Sequence, residues 1–554
     1  MFKLNPSWLL SLILIALGAA SPAAAQVSFN VTLPQNAGAP TTGRLIVLVS
    51  PDATPEPRLR IGVSGPPAFG TDVDALRPGT SALVDGRADS YPIDLSALPA
   101  GTHHAQAVLV RYTRVKRADG HVIWVPITNR LVLSSMIAGN LHSRPVRFTI
   151  APGAPQRVDL ALTESIPPTP ERVETPWIKH VRIKSELLSR FWGVPMYLGA
   201  SILLPSGFAE NPDATYPAVY LLGHGDAPFG FDTDPASNSL KAQASARSGN
   251  LRTGYEFAQE WQSAKFPRMV AITFEHPSPY FVESYAVNSA NNGPYGDAIT
   301  RELIPYLERE FRLIRQPWAR VVEGASTGGW EALALHLHYP QMFGGSWVFN
   351  PDPIDFSRWQ LVDIYQRENM YQLPFGPFRQ ETPYRRTPEG HPLYSVRQLA
   401  RLEAVLGSRG RSGYQLGIWQ ATYGPVGPEG YPKPLWDPRT GVIDKSVANY
   451  MKTNGYDLSA YLRTNWARLA PQISGRINLF VGESDDFYQN LAVYQFEDMV
   501  RSVGGPEFPI RVEYGTRKGG HNWHHKDWAG VVREMASHVR TSAPPGTDHS
   551  RWHY

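Results

Sequence analysis

Three short stretches hold the residue types of a proton-relayed nucleophile: Ser326 in "GASTG", the pair Asp485 and Asp486 in "VGESDD", and His521 in "KGGHNW". A serine hydroxyl attacks poorly at neutral pH. It needs an imidazole to take its proton, and the imidazole needs a carboxylate to fix its tautomer and stabilise its charge. Such a set performs acyl transfer on an ester or amide carbonyl. Gly324-Ala325-Ser326-Thr327-Gly328 fits G-x-S-x-G, in which small neighbours let the chain turn tightly under the nucleophile. Asp485 is the preferred acid, with Asp486 beside it as the alternative. His521 is the preferred base; a metal pair with His524 and His525 lacks both H-E-x-x-H and a carboxylate set. The tetrahedral intermediate also needs donors for its oxyanion. The backbone N–H of Thr327 is one candidate, and Asp226, with Gly225 next, is the other, in the turn-prone "VYLLGHGDAPFG". His224 in that loop reads as a packed or hydrogen-bonded residue.

These side chains need a scaffold that brings distant segments to one edge. "ARVVEG" supplies a strand and "GGWEALALHLHYP" a helix that stops at Pro340, so Ser326 falls at the junction. The strand-like runs "YPAVYLLGHG", "RMVAITFEH", "ARVVEGAS" and "RINLFVGESDD" alternate with amphipathic stretches, as in a mostly parallel sheet covered by helices. In "DAITRELIPYLEREF", Ile299, Leu303, Ile304, Leu307 and Phe311 recur at helical spacing. Ligands bind such folds at the carboxyl ends of the strands. Asn292 and Tyr295, in the loop after "VAITFEH", are therefore candidates for the pocket border; a loop that caps the helix from Asp297 is the competing reading, needs no ligand and is the preferred one. Residues 351–460 interrupt the alternation with many aromatics and prolines and read as an inserted lid. Trp359 and Tyr371 are taken as substrate contacts; the competing reading gives the insertion its own aromatic core. Asp437 and Asp444 in "WDPRTGVID" lack the ligand density of a calcium loop and read as turns. No metal and no cofactor are expected.

Upstream the pattern changes. Residues 26–163 carry short β-rich runs such as "RLIVLVS" and "AQAVLVRYT" between Pro, Gly and Asp clusters, as in an all-β sandwich. Packing against the catalytic unit is its expected role, with binding or homodimer formation as alternatives. "ESIPPTPERVETP", residues 164–176, is a linker; residues 177–541 form the α/β unit and 542–554 a polar, disordered tail. Lys3 followed by "WLLSLILIALGAA" and "SPAAAQ" reads as a secretory signal over residues 1–25, which implies a secreted or periplasmic protein. No other run is apolar enough to span a bilayer. The chain has 554 residues and Cys 0, which excludes disulfides and thiolate chemistry, and a dispersed net charge of +4, which gives no basis for a nucleic-acid partner.

"SELLSRFWGVPMYLGASILLPSGF", "YPAVYLLGHG", "GPYGDAITRELIPYLEREF", "GASTGGWEALALHLHYPQMFGG", "VGESDDF" and "GGHNWHHKDW" together resemble the putative-esterase family, the esterase-D-like branch of the α/β-hydrolases. Its members include enterochelin, feruloyl and acetyl-xylan esterases, S-formylglutathione hydrolases and mycolyltransferases. The resemblance spans roughly 180 to 540, about two thirds of the chain, and omits the N-terminal unit. It implies Ser326 as nucleophile, Asp485, three residues after Gly482, as acid, and His521 as base. It further implies hydrolysis of carboxylic esters, carbohydrate-linked or aromatic ones favoured. An acyltransferase or peptidase with the same triad, or a non-catalytic binding protein, is the alternative.

Overall fold

The computed structural model describes residues 27–128, 130–151, 153, 155–225, 227–238, 253–375, 377–516 and 518–552. The leader expected at 1–25 lies outside them. Among the described residues no helix is long and apolar enough to cross a membrane.

The N-terminal unit is all β. Val27–Thr32 lies between Gln156–Ala161, to which it runs parallel, and Ser81–Val84, to which it runs antiparallel. Facing this small sheet, a larger one is built around the antiparallel pair Thr41–Ser50 and Gly101–Arg111. The run from Leu45 to Val49 is apolar at every position because both faces are buried. Leu45, Val47 and Val49 enter the sandwich core with Phe29 and Val158, while Ile46 and Leu48 enter the core of the second unit. Arg44 fastens the junction. Its side chain, 2% exposed, donates to Val405 O (2.9 Å) and Ala404 O (2.6 Å), the open carbonyls in the last turn of the helix Val396–Leu406, and pairs with Asp72 and Asp89. Glu164–Ser165 still pairs with Leu141–His142, so the sheet runs two residues into the segment expected as linker.

The second unit is built on an eight-stranded sheet: β1 (Ile178–Ser185), β2 (Met196–Leu203), β3 (Ala218–Leu222), β4 (Val270–Glu275), β5 (Arg320–Ala325), β6 (Gly345–Phe349), β7 (Ile477–Gly482) and β8 (Arg511–Gly515). The spatial order is β1-β2-β4-β3-β5-β6-β7-β8. β1 and β2 pair antiparallel, as do β2 and β4; every pair from β4 onward is parallel. Along β3 the side chains divide by parity, with Val219 and Leu221 facing one helical layer and Ala218, Tyr220 and Leu222 the other. The first layer contains the helix Trp528–Ser542, and the second contains Thr327–His338, named α1. Ile299, Leu303, Ile304 and Leu307 are buried, as their spacing requires, in a helical stretch that starts at Tyr295 and widens to a π turn over Ile299–Leu303.

The segment between β6 and β7 includes α2 (Val396–Leu406), opened by a capping box of Ser395 and Gln398, and α3 (Gln415–Tyr423). Its aromatics Trp359, Tyr371, Trp419, Tyr423 and Trp436 are buried and join the core that lies under the sheet. Phe375 and Phe378, 71% and 73% exposed on a hairpin, are exceptions. The tail expected to be disordered is ordered as far as Trp552, whose buried ring packs 5.9 Å from that of Trp318.

Candidate active site

Ser326 sits between β5 and α1 with φ 57° and ψ −121°, a region that L side chains seldom occupy. Glycines make room for it. A Cβ on Gly328 would come to 2.1 Å from Leu222 O, and one on Gly324 to 2.1 Å from Gly328 O, so strand and helix approach as only glycine allows. Backbone bonds fix the turn: Ser326 N–H donates to Phe349 O (2.9 Å), and Ser326 O accepts from Trp330 and Asp352 N–H.

The structure brings His521 to this serine and Asp485 to that histidine. His521 Nε2 is 2.8 Å from Ser326 Oγ, and its Nδ1 is 2.7 Å from Asp485 Oδ2. Asp485 is fully buried, and its other oxygen accepts from the N–H groups of Phe487 (2.8 Å) and Gln489 (3.1 Å). Asp486 does a different job, accepting from the His521 N–H and from Arg385. Burial alone would lower the His521 pKa, but the charge and hydrogen bond of Asp485, with further charge from Asp352 and Asp486, raise it above the usual histidine value.

Asp352 was not singled out by sequence reading. It follows β6 in "FNPDP", 3% exposed, with Oδ1 3.5 Å from Ser326 Oγ. Its Oδ2 accepts from Tyr285 (2.5 Å), Thr327 (3.1 Å), Gln415 (3.0 Å) and Trp419 (3.2 Å), and its Oδ1 from Gln489 (3.2 Å). Burial raises its pKa, and these bonds and His521 offset part of the rise. The available signal was positional: a charged residue just past the strand-like run "GSWVF", at the sheet edge where ligands bind.

Thr327 opens α1, so its N–H is among those left free by the helix. Asp226 lies outside the described residues; Gly225 is described, on the loop leaving β3. His224, half-exposed, has Nδ1 3.2 Å from Glu283 Oε1. The four residues expected at the substrate are corrected by the structure, which packs all of them inside. Asn292 donates to Ser284 O, and the Tyr295 hydroxyl to Pro277 O. Trp359 stands edge-on to Trp419 at 5.2 Å, and the Tyr371 hydroxyl bonds Pro438 O. His524 bonds Asn522 O and His525 pairs with Glu534, so neither joins His521 in a cluster. Asp444 caps the helix Lys445–Thr453, and Asp437 accepts from Thr440 in a turn.

A serine at a strained strand-to-helix turn, on a sheet of this order, belongs to the α/β-hydrolase-like fold of ester hydrolases. Residues 196–536, more than half of the chain, match the family described as "Putative esterase", and the chain belongs to that family: it is a carboxylic ester hydrolase. Similar solved structures include a ferulic acid esterase at 14% identity, covering 66% of this chain and 98% of that chain with TM-score 0.35. The S-formylglutathione hydrolase from Agrobacterium tumefaciens shares 12% identity over 66% and 94%, TM-score 0.31. A CE1 ferulic acid esterase from Anaeromyces mucronatus shares 10% over 68% and 93%, TM-score 0.29. Among curated proteins none matches the chain.

Proposed function

We propose that the protein is an exported serine esterase in which Ser326 attacks the ester carbonyl, His521 takes the hydroxyl proton and returns it to the leaving alcohol, and Asp485 holds the imidazole. Water then releases the acyl group by the same relay. The observation that carries this reading is the pair of contacts at 2.8 and 2.7 Å joining hydroxyl, imidazole and carboxylate at the strained turn. The N–H of Thr327 and an amide of the loop at Gly225 and Asp226 would receive the oxyanion.

Aromatic or carbohydrate-linked acyl esters are the favoured substrates. Support comes from the part-buried Phe487, whose ring stands edge to face with His521 at 4.7 Å, with Arg385 5.0 Å from its centre, and so sets an aromatic group beside the reacting atoms. Gln415 and Trp419 bond the carboxylate under Ser326, which supports a fixed wall over the site in place of a hinged lid. The apolar run near the N-terminus supports export to the periplasm or medium. The test combines a fluorophosphonate probe, a panel of acetyl, feruloyl and short aryl esters, and Ser326→Ala. Labelling is expected at Ser326, and the variant should lose turnover on the order of 10⁶-fold. Labelling elsewhere, or undiminished turnover in the variant, refutes the assignment; labelling without hydrolysis of any ester favours an acyltransferase.

A further inference from the structure

Beneath the loop that leaves β3, the chain buries a second group of ionisable side chains that the relay does not use. His276 follows β4, Glu283 lies in the next loop, and Glu331 is on α1, one turn beyond Thr327. All three are buried, and one donor atom from each lies within 4.8 Å of the others. His276 Nε2 is 3.9 Å from Glu331 Oε2, and His224 Nδ1 is 3.2 Å from Glu283 Oε1. His276 Nε2 and all four carboxylate oxygens lack a hydrogen bond of full geometry. Among the described residues the ion-pair partners of these two glutamates are histidines, not lysine or arginine.

Such a group is costly as it stands. Each carboxylate loses its water, and the two repel one another without a fixed cation between them. Burial raises the pKa of Glu283 and of Glu331, and the neighbouring Asp352 adds to both. The Thr327 hydroxyl near Glu283, and the Tyr285 and Gly223 N–H groups near Glu331, offset only part of this. A bound cation would remove the conflict. We propose that His276, Glu283 and Glu331, with His224 as a fourth ligand, form a site for a first-row divalent transition cation, Zn²⁺ preferred.

The donor set decides the class. Two imidazoles and two carboxylates suit Zn²⁺ or its neighbours, whereas Ca²⁺ takes six to eight oxygens. Tetrahedral ligands at about 2.0–2.2 Å from a metal lie about 3.3–3.6 Å apart, so the three donors, now within 4.8 Å of one another, must draw in by roughly 1 Å on binding, and the loop must carry His224 in with Glu283, its neighbour at 3.2 Å. His276 Nδ1 is 2.9 Å from Ser284 Oγ, and donation there leaves the Nε2 lone pair to the metal. The Ser284 N–H, 3.1 Å from the same Nδ1, favours the opposite tautomer. In that competing state Nε2 keeps its proton and the two glutamates share another. The cation would join α1 to the His224 loop, next to the expected oxyanion donors, and so act as a positioning element.

The test uses the full chain, without an affinity tag, stripped with chelator and then given Zn²⁺. Plasma mass spectrometry should find about one equivalent retained, and calorimetry a single saturable site, with the Tm raised by several degrees. Glu331→Gln should abolish binding. His224→Ala, at a half-exposed position, should weaken it at least tenfold, guarding against misfolding of the buried variant. Stripped protein that takes up neither Zn²⁺ nor Mn²⁺ overturns the proposal. So does a Glu331→Gln that still binds one equivalent, or one more stable than the parent at neutral pH in the presence of Zn²⁺, which would show the shared proton. None of these readouts depends on Ser326.

Discussion

Replacing Asp352 with asparagine removes a carboxylate from beside Ser326, the proposed nucleophile, at nearly constant volume. Ser326 Oγ is 2.8 Å from His521 Nε2 and 3.5 Å from Asp352 Oδ1, so carboxylate and imidazole are no more than about 6.3 Å apart. At an effective dielectric of about 20 to 40, a charge pair at that distance is worth about 1–3 kcal/mol, or roughly one to two pKa units. The sign follows from the relay. In the proposed relay His521 works as the neutral base, so activity should be lost as pH falls through its pKa, which lies above the usual 6.5 in the parent. Without the Asp352 charge the imidazolium is less stable, and the acid limb of kcat/KM should move to lower pH by roughly one to two units. The assay is a pH–rate profile on an aryl acetate, read beside the Tm. An amide –NH₂ facing Gln489 Nε2 pairs donor with donor, which costs about 1–3 kcal/mol and lowers Tm and plateau rate without displacing the limb. An unmoved limb in a folded Asp352→Asn would refute the electrostatic reasoning and mean that Asp352 is uncharged in the working enzyme.

The acids of the turn after β7 should separate cleanly: Asp485→Asn should cost on the order of 10⁴-fold in kcat, and Asp486→Asn under about tenfold, by steady-state kinetics on one ester. Gly328→Ala puts a methyl 2.1 Å from Leu222 O; backbone must move, and about 3 kcal/mol or more of stability should be lost in urea denaturation. Arg44→Ala takes the buried partner from Asp89, leaves Asp72 with Arg411 and Ser408 alone, and frees the carbonyls of residues 404 and 405. The carboxylates left behind are 42% and 46% exposed, so the cost should be about 1–3 kcal/mol, chiefly from the freed carbonyls, with the segment after Ser165 opened to limited proteolysis and no displacement of the acid limb.

The three residues of the proposed relay were legible because each follows a strand-like run and has glycine close by, a pattern written locally. The choice between Asp485 and Asp486 was not: they share one turn, and only the buried N–H groups of Phe487 and Gln489 show which carboxylate faces inward. Asp352 escaped notice because its donors Tyr285, Gln415, Trp419 and Gln489 come from three distant segments, so their convergence exists only in three dimensions. Asn292, Tyr295, Trp359 and Tyr371 were misread for the opposite reason. Position near the sheet edge or within an aromatic insertion suggested access, whereas bonds to Ser284, Pro277 and Pro438 and ring packing turned them inward. The double-sided burial of residues 45–49 was visible as an unbroken apolar run, though the partner of its outer face was not.

That outer face gives the N-terminal unit a physical route to the nucleophile. Arg44 grips the carboxyl end of α2. From the same helix, buried Glu403 accepts from the N–H groups of Leu416 and Gly417, 2.8 Å each, and so caps the start of α3. From α3, Gln415 and Trp419 reach Asp352, whose own N–H bonds Ser326 O at 3.0 Å. The links are buried or part-buried hydrogen bonds, so loosening one shifts the cost to the next. The insertion and the β unit therefore belong to the machinery that fixes the turn at Ser326, and a catalytic unit cut free at the linker would lose the Arg44 anchor at the outer end of that chain of contacts.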